Sequence, residues 1–249
     1  LRYKLIIAYN GTSYCGWQIQ KSDLSIQALV QQALNTVLQQ PILLKGAGRT
    51  DAGVHAKGQT AHFDTDTPLD TIRFIRSLNS LLPSDIRILE VSLVPQDFHA
   101  RYSALSKIYH YHLQLDPIED AFNHPYRHPV RGPCDLALIK KAIPYLTGTQ
   151  NFTSLANKTK KGPPTKNGIR TLYRLDLIEE IGGVRFEFEA NGFLYKMARN
   201  ITGLLINVGA GKIEPGKIPE ILNAKKRQNL FRAAPPQGLF LYEVKYPKI

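Results

Sequence analysis

The sequence is poor in cysteine. It has two in 249 residues, Cys15 and Cys134, with no CxxC pair. A disulfide framework or a cysteine-based zinc site is therefore not expected, and a reducing cytoplasm is. Long apolar runs are also missing, and stretches such as residues 204–208 are far too short to span a bilayer. The opening Leu-Arg-Tyr-Lys-Leu-Ile-Ile enters a strand pattern at once and lacks the layout of a signal peptide. It also lacks an initiator Met, so one or more upstream residues are expected. Acidic side chains are outnumbered, 20 Asp plus Glu against 32 Lys plus Arg, for a formal charge of +12. Such an excess suits a polyanionic partner, most simply nucleic acid, or simply a basic soluble protein.

What is present is ordinary globular material. The hydrophobic fraction is 43% and the charged fraction 21%, which excludes disorder, collagen and coiled coil as descriptions of the whole chain. The charge is uneven. Residues 1–104 carry 10 basic and 8 acidic side chains, whereas residues 105–249 carry 22 and 12. One basic cluster is Lys158, Lys160, Lys161, Lys166, Arg170 and Arg174, and another is Lys225, Lys226, Arg227 and Arg232. The first lies in a Gly- and Pro-containing segment that reads as a loop. Such a loop can close over phosphates or merely face solvent.

The hydrophobic periodicity divides the chain in two. Residues 3–9 read as a strand. Ile26, Leu29, Val30, Ala33, Leu34, Val37 and Leu38 fall at helical spacing behind Ser25, a good N-cap, and Pro41 ends that helix. Residues 42–45 and 58–63 read as short strands. Residues 69–82 read as a helix between Pro68 and Pro83, and residues 89–93 as a half-buried strand. This β-α-β-β-α-β order is the ferredoxin-like arrangement. The second half repeats it at larger size. Strands are expected at 107–115, 169–178, 184–190 and 239–245, and helices at 136–146 and 194–208, with a short extra helix at 218–222. The expected architecture is α+β, with two ferredoxin-like units over residues 1–104 and 105–249 and mixed or antiparallel sheets. A single continuous mixed sheet is the alternative.

The loop Gly46-Ala-Gly-Arg-Thr-Asp-Ala-Gly-Val-His-Ala56 joins two predicted strands. Its three glycines permit tight geometry. Asp51 is the only carboxylate between Asp23 and Asp64 and stands two residues from Arg49. A carboxylate beside a guanidinium stays ionised, as a nucleophile or general base must. The competing reading is a local turn in which the Asp side chain accepts backbone N–H bonds.

Gly-Arg-Thr-Asp-Ala-Gly-Val-His-Ala resembles the signature of the TruA family of tRNA pseudouridine synthases. Further family-like segments follow in order. They are Tyr9-Asn-Gly-Thr-Ser-Tyr-Cys-Gly-Trp-Gln18, Gln59-Thr-Ala-His-Phe63 and Asp97-Phe-His-Ala-Arg-Tyr-Ser103, then Asn191-Gly-Phe-Leu-Tyr-Lys-Met-Ala-Arg-Asn-Ile-Thr-Gly203 and Gly238-Leu-Phe-Leu241. The resemblance covers nearly the whole chain. It implies a pseudouridine-synthase-type fold with a central cleft, and isomerisation of uridine at positions 38, 39 and 40 of the tRNA anticodon stem-loop. It implies no cofactor and no metal, and it implies a homodimer. The family's essential aspartate maps onto Asp51, which would act covalently on the ribose or the base, or accept a proton. The active-site tyrosine maps onto Tyr109, which would stack on the flipped uracil and share in proton transfer. Family members often have Arg where Lys107 or Ile108 stands, which weakens a phosphate contact there.

Arg199 sits among apolar neighbours. It is expected either to pair with Asp51, as the family pattern implies, or to snorkel to solvent. Arg49 would hold the emptied base position or a phosphate, or pair locally. Lys158, Lys160, Lys161 and Arg170 are expected to bind substrate phosphates. His110 and His112 share a strand face, but spacing suggests no third metal ligand. His55 reads as a loop-packing or RNA-facing residue, and Trp17 as a base-stacking or core residue. The other readings are a non-catalytic RNA-binding protein of paired ferredoxin-like domains and a hydrolase using Asp51 with His55. The first lacks the aromatic RNP1 signature. The second lacks a paired acid or a metal set.

Overall fold

A computed structural model describes residues 1–20, 23–157, 167–227 and 229–248. The chain forms two compact units, Leu1–Leu105 with Phe240–Ile249, and Ser106–Leu239.

The first unit runs β1 (Arg2–Tyr9), α1 (Ile26–Leu38), β2 (Lys45–Gly46), β3 (His55–Asp64), α2 (Thr71–Leu81) and β4 (Ile86–Val94). Alternation along β1 buries Tyr3, Leu5, Ile7 and Tyr9. The strand lies between β3 and β4, antiparallel to both. Ser25 caps α1 by accepting the Ala28 N–H, and the helix ends before Gln39, which is left-handed at φ 53°. Its apolar face buries Ile26, Val30, Ala33 and Leu34. Asp70 caps α2, which buries Phe74 and Leu78.

The predicted strand over 42–45 is shorter than expected, because only Lys45 and Gly46 pair with β3. The Ile42 N–H donates instead to Asn35 Oδ1 (2.7 Å) and the Leu44 N–H to Gln31 Oε1 (3.1 Å). Side chains of α1 thus supply the partners that a neighbouring strand would otherwise give.

The second unit contains β5 (Ser106–Gln114), β6 (His128–Pro129), α3 (Leu136–Ala142), β7 (Gly148–Asn151), β8 (Ile169–Glu180), β9 (Gly183–Ala190), α4 (Met197–Gly209) and α5 (Ile218–Asn223). Its strands pair in the order β5-β9-β8-β7, all antiparallel, with β6 parallel to the end of β5. Pro144 falls in a 3-10 turn that finishes the α3 segment. Gly182, at φ 75°, turns the β8–β9 hairpin. One face of β9 buries Val184, Phe186 and Phe188 opposite Leu113, Tyr111 and Tyr109 of β5.

The other face of this sheet is a ladder of charges. Arg185 donates to Glu180 (2.7 Å) and Glu187 (2.8 Å), and Arg174 to Asp176 (2.6 Å) and Glu187 (2.8 Å). Burial opposes ionisation of both glutamates. Hydrogen bonds from Arg185 and His112 nonetheless hold Glu180 below the usual carboxylate range, and those from Arg174 and Arg185 do the same for Glu187. His112 Nδ1 lies 2.9 Å from Glu180, and His110 Nε2 3.6 Å from Glu187. The histidine pair considered as metal ligands therefore faces carboxylates within an ionic lattice. Among the described residues no group of three or more His, Cys, Asp or Glu is placed to hold a metal ion.

The last strand, β10 (Leu239–Lys245), buries Leu239 and Leu241 in alternation, but the phase shifts at the exposed Tyr242 and Glu243, and Val244 is buried in place of Glu243. Its Phe240 and Leu241 pair in parallel with His55 and Ala56 of β3, so its body clusters with the first unit.

His62 of β3 is buried, and its Nδ1 accepts the Ala100 N–H (3.1 Å). Burial, together with His99, Arg2 and Lys45, pushes its pKa down to about 4. Between pH 6.5 and 4 the unfolded chain takes up this proton and the folded chain does not, so stability falls as pH falls through that window. Urea titrations should show a smaller acid-side loss for His62→Gln than for the parent protein. Equal losses would show that His62 titrates normally.

Candidate active-site loop

The loop between β2 and β3 is fixed from below and from the side. Below it lies a buried polar plug. Tyr9, at the end of β1, pairs its hydroxyl with Thr50 Oγ1 at 2.8 Å. Gln59 of β3 donates through Nε2 to Gly48 O at 3.0 Å. Tyr9, Thr50 and Gln59 are all buried. Each of these bonds therefore replaces water that cannot reach the site.

From the side, the 10–17 segment runs along the loop. The Trp17 N–H donates to Thr50 O (3.2 Å), and Gly16 and Asp51 form an antiparallel bridge. Gly16 has φ 104°, and a Cβ there would collide with the backbone carbonyl of Thr50. Glycine is required on both counts. Gly11 is equally confined, since a Cβ would strike the Val54 carbonyl. The Gly11 N–H donates to His55 Nδ1 (3.0 Å), and the His55 ring stacks on Phe240 at 4.6 Å. Within the loop, the Val54 N–H closes a turn onto Asp51 O (3.1 Å).

The result is a carboxylate-bearing bend whose backbone is held at both ends. Asp51 is half-buried, and its neighbours Arg49 and Ala52 are exposed. His55 is fully buried, which makes it a packing residue rather than an RNA-facing one. Trp17 is also buried. It stacks on Tyr9 (6.2 Å) and fills the space that a Gly46 side chain would need. Its role is therefore core packing, not base stacking.

The second unit carries the other expected residues. Tyr109 of β5 is buried, with Phe193 edge-on to its ring at 4.8 Å. Arg199 lies in the first turn of α4 and is 9% exposed, which rules out snorkelling within this unit. Its Nε donates to Ala234 O (2.7 Å), while its own carbonyl accepts the Ala234 N–H (2.9 Å). Tyr111 donates to Pro235 O next along the same segment (2.7 Å). Gly203 lets that segment lie against α4, where a Cβ would strike the Arg232 carbonyl. Arg170, at the start of β8, is half-buried and donates to Asn167 O (3.1 Å) and Ile169 O (2.6 Å). Lys158, Lys160 and Lys161 lie outside the described residues.

The structure thus puts Arg49 and Asp51 on one bend of the first unit, and Tyr109, Arg170 and Arg199 in the second. Sequence reading missed Thr50 and Gln59 beneath the bend, Phe193 against Tyr109, and the 232–235 segment that holds Arg199. One signal was available. Gln59, Thr60 and His62 are polar residues in a strand whose neighbours are apolar, and all three are buried. Buried polar side chains usually have a structural or functional reason.

The family model described as tRNA pseudouridine synthase matches residues 5–103 and 142–247. This chain belongs to that family. A Protochlamydia amoebophila protein named tRNA pseudouridine synthase A 1 is 50% identical over 245 residues, which cover 98% of this chain and 96% of that one. A Bacillus cereus protein of the same name is 41% identical over 247 residues, 98% of each chain. The Chlamydia felis tRNA pseudouridine synthase A is 42% identical over 252 residues, 99% of this chain and 92% of its own.

Proposed function

We propose that this protein is an isomerase that converts uridine to pseudouridine in tRNA, at positions 38, 39 and 40 of the anticodon stem-loop. The observation that carries this reading is the Asp51 bend. It holds a half-buried carboxylate by its backbone at both ends, in a chain that belongs to the tRNA pseudouridine synthase family. The reaction breaks the N1–C1′ bond and forms C5–C1′. The C5 proton is lost and N1 gains one, so atoms and charge balance without a redox step. A stacked base must first leave the helix, because its glycosidic bond is otherwise out of reach.

In this reading Asp51 is the essential carboxylate and Arg199 pairs with it, which would keep it charged and oriented. Tyr109 presents a ring for the extruded uracil and a hydroxyl for proton transfer. The edge-on packing of Phe193 supports the first role, because it fixes the plane of the Tyr109 ring. Arg49 occupies the vacated stack or contacts a phosphate, and Lys158, Lys160, Lys161 and Arg170 bind the RNA backbone. The enzyme acts in the cytoplasm as a homodimer and needs no cofactor.

Release of tritium from tRNA labelled at uridine C5 reports the chemical step directly. Asp51→Asn should bind tRNA and release none, and release at the parent rate would remove the reading. Binding should weaken steeply with salt. Replacing Lys158, Lys160 and Lys161 together with Ala should reduce the slope of log K against log salt by about 0.7–0.9 per lost phosphate contact. The single-turnover rate on bound tRNA should hold. An unchanged slope would take these lysines off the RNA.

A further inference from the structure

The hydroxyl beneath the Asp51 bend has no part in the chemistry just described, yet it is fully enclosed. Tyr9 is 4% exposed and Thr50 7%. Their 2.8 Å contact joins residues 41 positions apart. Burial raises the Tyr9 phenol far above its ordinary range, so it stays protonated and acts only as a hydrogen-bonding group. Thr50 is the residue before Asp51, and its carbonyl is held by the Trp17 N–H. Gln59 anchors Gly48 on the far side of Arg49. The bend that presents Arg49 and Asp51 is therefore tied at 48, at 50 by both side chain and backbone, and at 51 by Gly16.

We propose that Tyr9 is a positioning residue for Asp51. Its hydroxyl fixes the Thr50 side chain, which sets the direction in which the next residue's carboxylate leaves the backbone. The physical reason is leverage. A carboxylate that must meet a sugar or base carbon has to be placed to a fraction of an ångström, and a misplacement of about 1 Å can cost on the order of 100-fold in rate. The Tyr9 ring, stacked on Trp17, would by itself keep the core closed. The hydroxyl adds nothing to that packing; its buried partners are Thr50, the residue next to Asp51, and Gln59, which also anchors Gly48. The proposal rests on the reading of Asp51 as the reacting carboxylate.

The test compares Tyr9→Phe, Thr50→Val, Thr50→Ser and the Tyr9→Phe/Thr50→Val double variant with Asp51→Asn. Single-turnover tritium release, tRNA binding and thermal melting are measured for each. Tyr9→Phe and Thr50→Val should each slow the chemical step by roughly 10- to 100-fold, with tRNA affinity within about twofold. Thr50→Ser keeps the hydroxyl and should restore most of the rate. The double variant should be no slower than the slower single variant, because both remove one shared contact. Tyr9→Phe at the parent rate, beside an inactive Asp51→Asn, would overturn the proposal and leave the carboxylate reading standing. Additive losses, or rates that simply follow melting temperature, would also overturn it. Activity in Asp51→Asn would instead overturn the reading on which it rests.

Discussion

The first unit depends on how closely the 10–17 segment approaches the bend at 48–54. Two glycines, Gly11 and Gly16, allow backbone to lie on backbone where any Cβ would collide with a carbonyl. That approach lets Trp17 reach Thr50 O and Gly16 bridge Asp51. It also buries Tyr9 and Trp17 under the loop rather than beside it. A loop rich in glycine would otherwise sample many conformations. Here its freedom is removed by hydrogen bonds to a neighbouring segment, so flexibility in sequence becomes rigidity in place. A site held by β-strands and their immediate connections is better placed for chemistry than one on a free loop.

The second unit solves a different problem. Arg199 is nearly buried in a helix of apolar residues, a costly place for a charge. Its Nε spends a hydrogen bond on the Ala234 carbonyl, which fixes the side chain's course and secures the 232–235 segment to α4. On the β5–β9–β8 sheet the two faces divide the labour. The aromatic face packs Tyr109 and Tyr111 against Phe188 and Phe186, while the charged face locks arginines between half-buried glutamates. Networks of this kind tend to hold register, since a one-residue slip would move every charge to the apolar side.

Much of this was legible in the sequence. The β-α-β-β-α-β order of the first unit followed from periodicity, and Ser25, Pro41 and Pro83 marked real boundaries. The Asp51 loop stood out because a lone acid sat among glycines beside an arginine. The failures have physical causes. Residues 42–44 have a strand's composition, but the Ile42 and Leu44 N–H groups bond to Asn35 and Gln31, which no local pattern encodes. The helix expected from 194 begins at Met197, because Lys196 adopts a left-handed conformation (φ 60°) that hydrophobic spacing cannot see. The short polar strand Gly148–Asn151 carries no alternation to detect. Period-two alternation identified β10 as a strand but cannot name its neighbour. The polar plug under Asp51 was hidden for a related reason, since which buried side chains meet is decided by tertiary contact.

If Asp51 is the reacting carboxylate, the bend held from beneath presents it to a uridine taken out of its helix. A crystal structure of the protein bound to an anticodon stem-loop measures this directly. A single uridine should lie outside the base stack with its ribose or ring within about 3–3.5 Å of the Asp51 carboxylate, and the Tyr9–Thr50 contact should be intact. A bound RNA whose uridines all remain stacked, or whose extruded base lies far from Asp51, would contradict the claim.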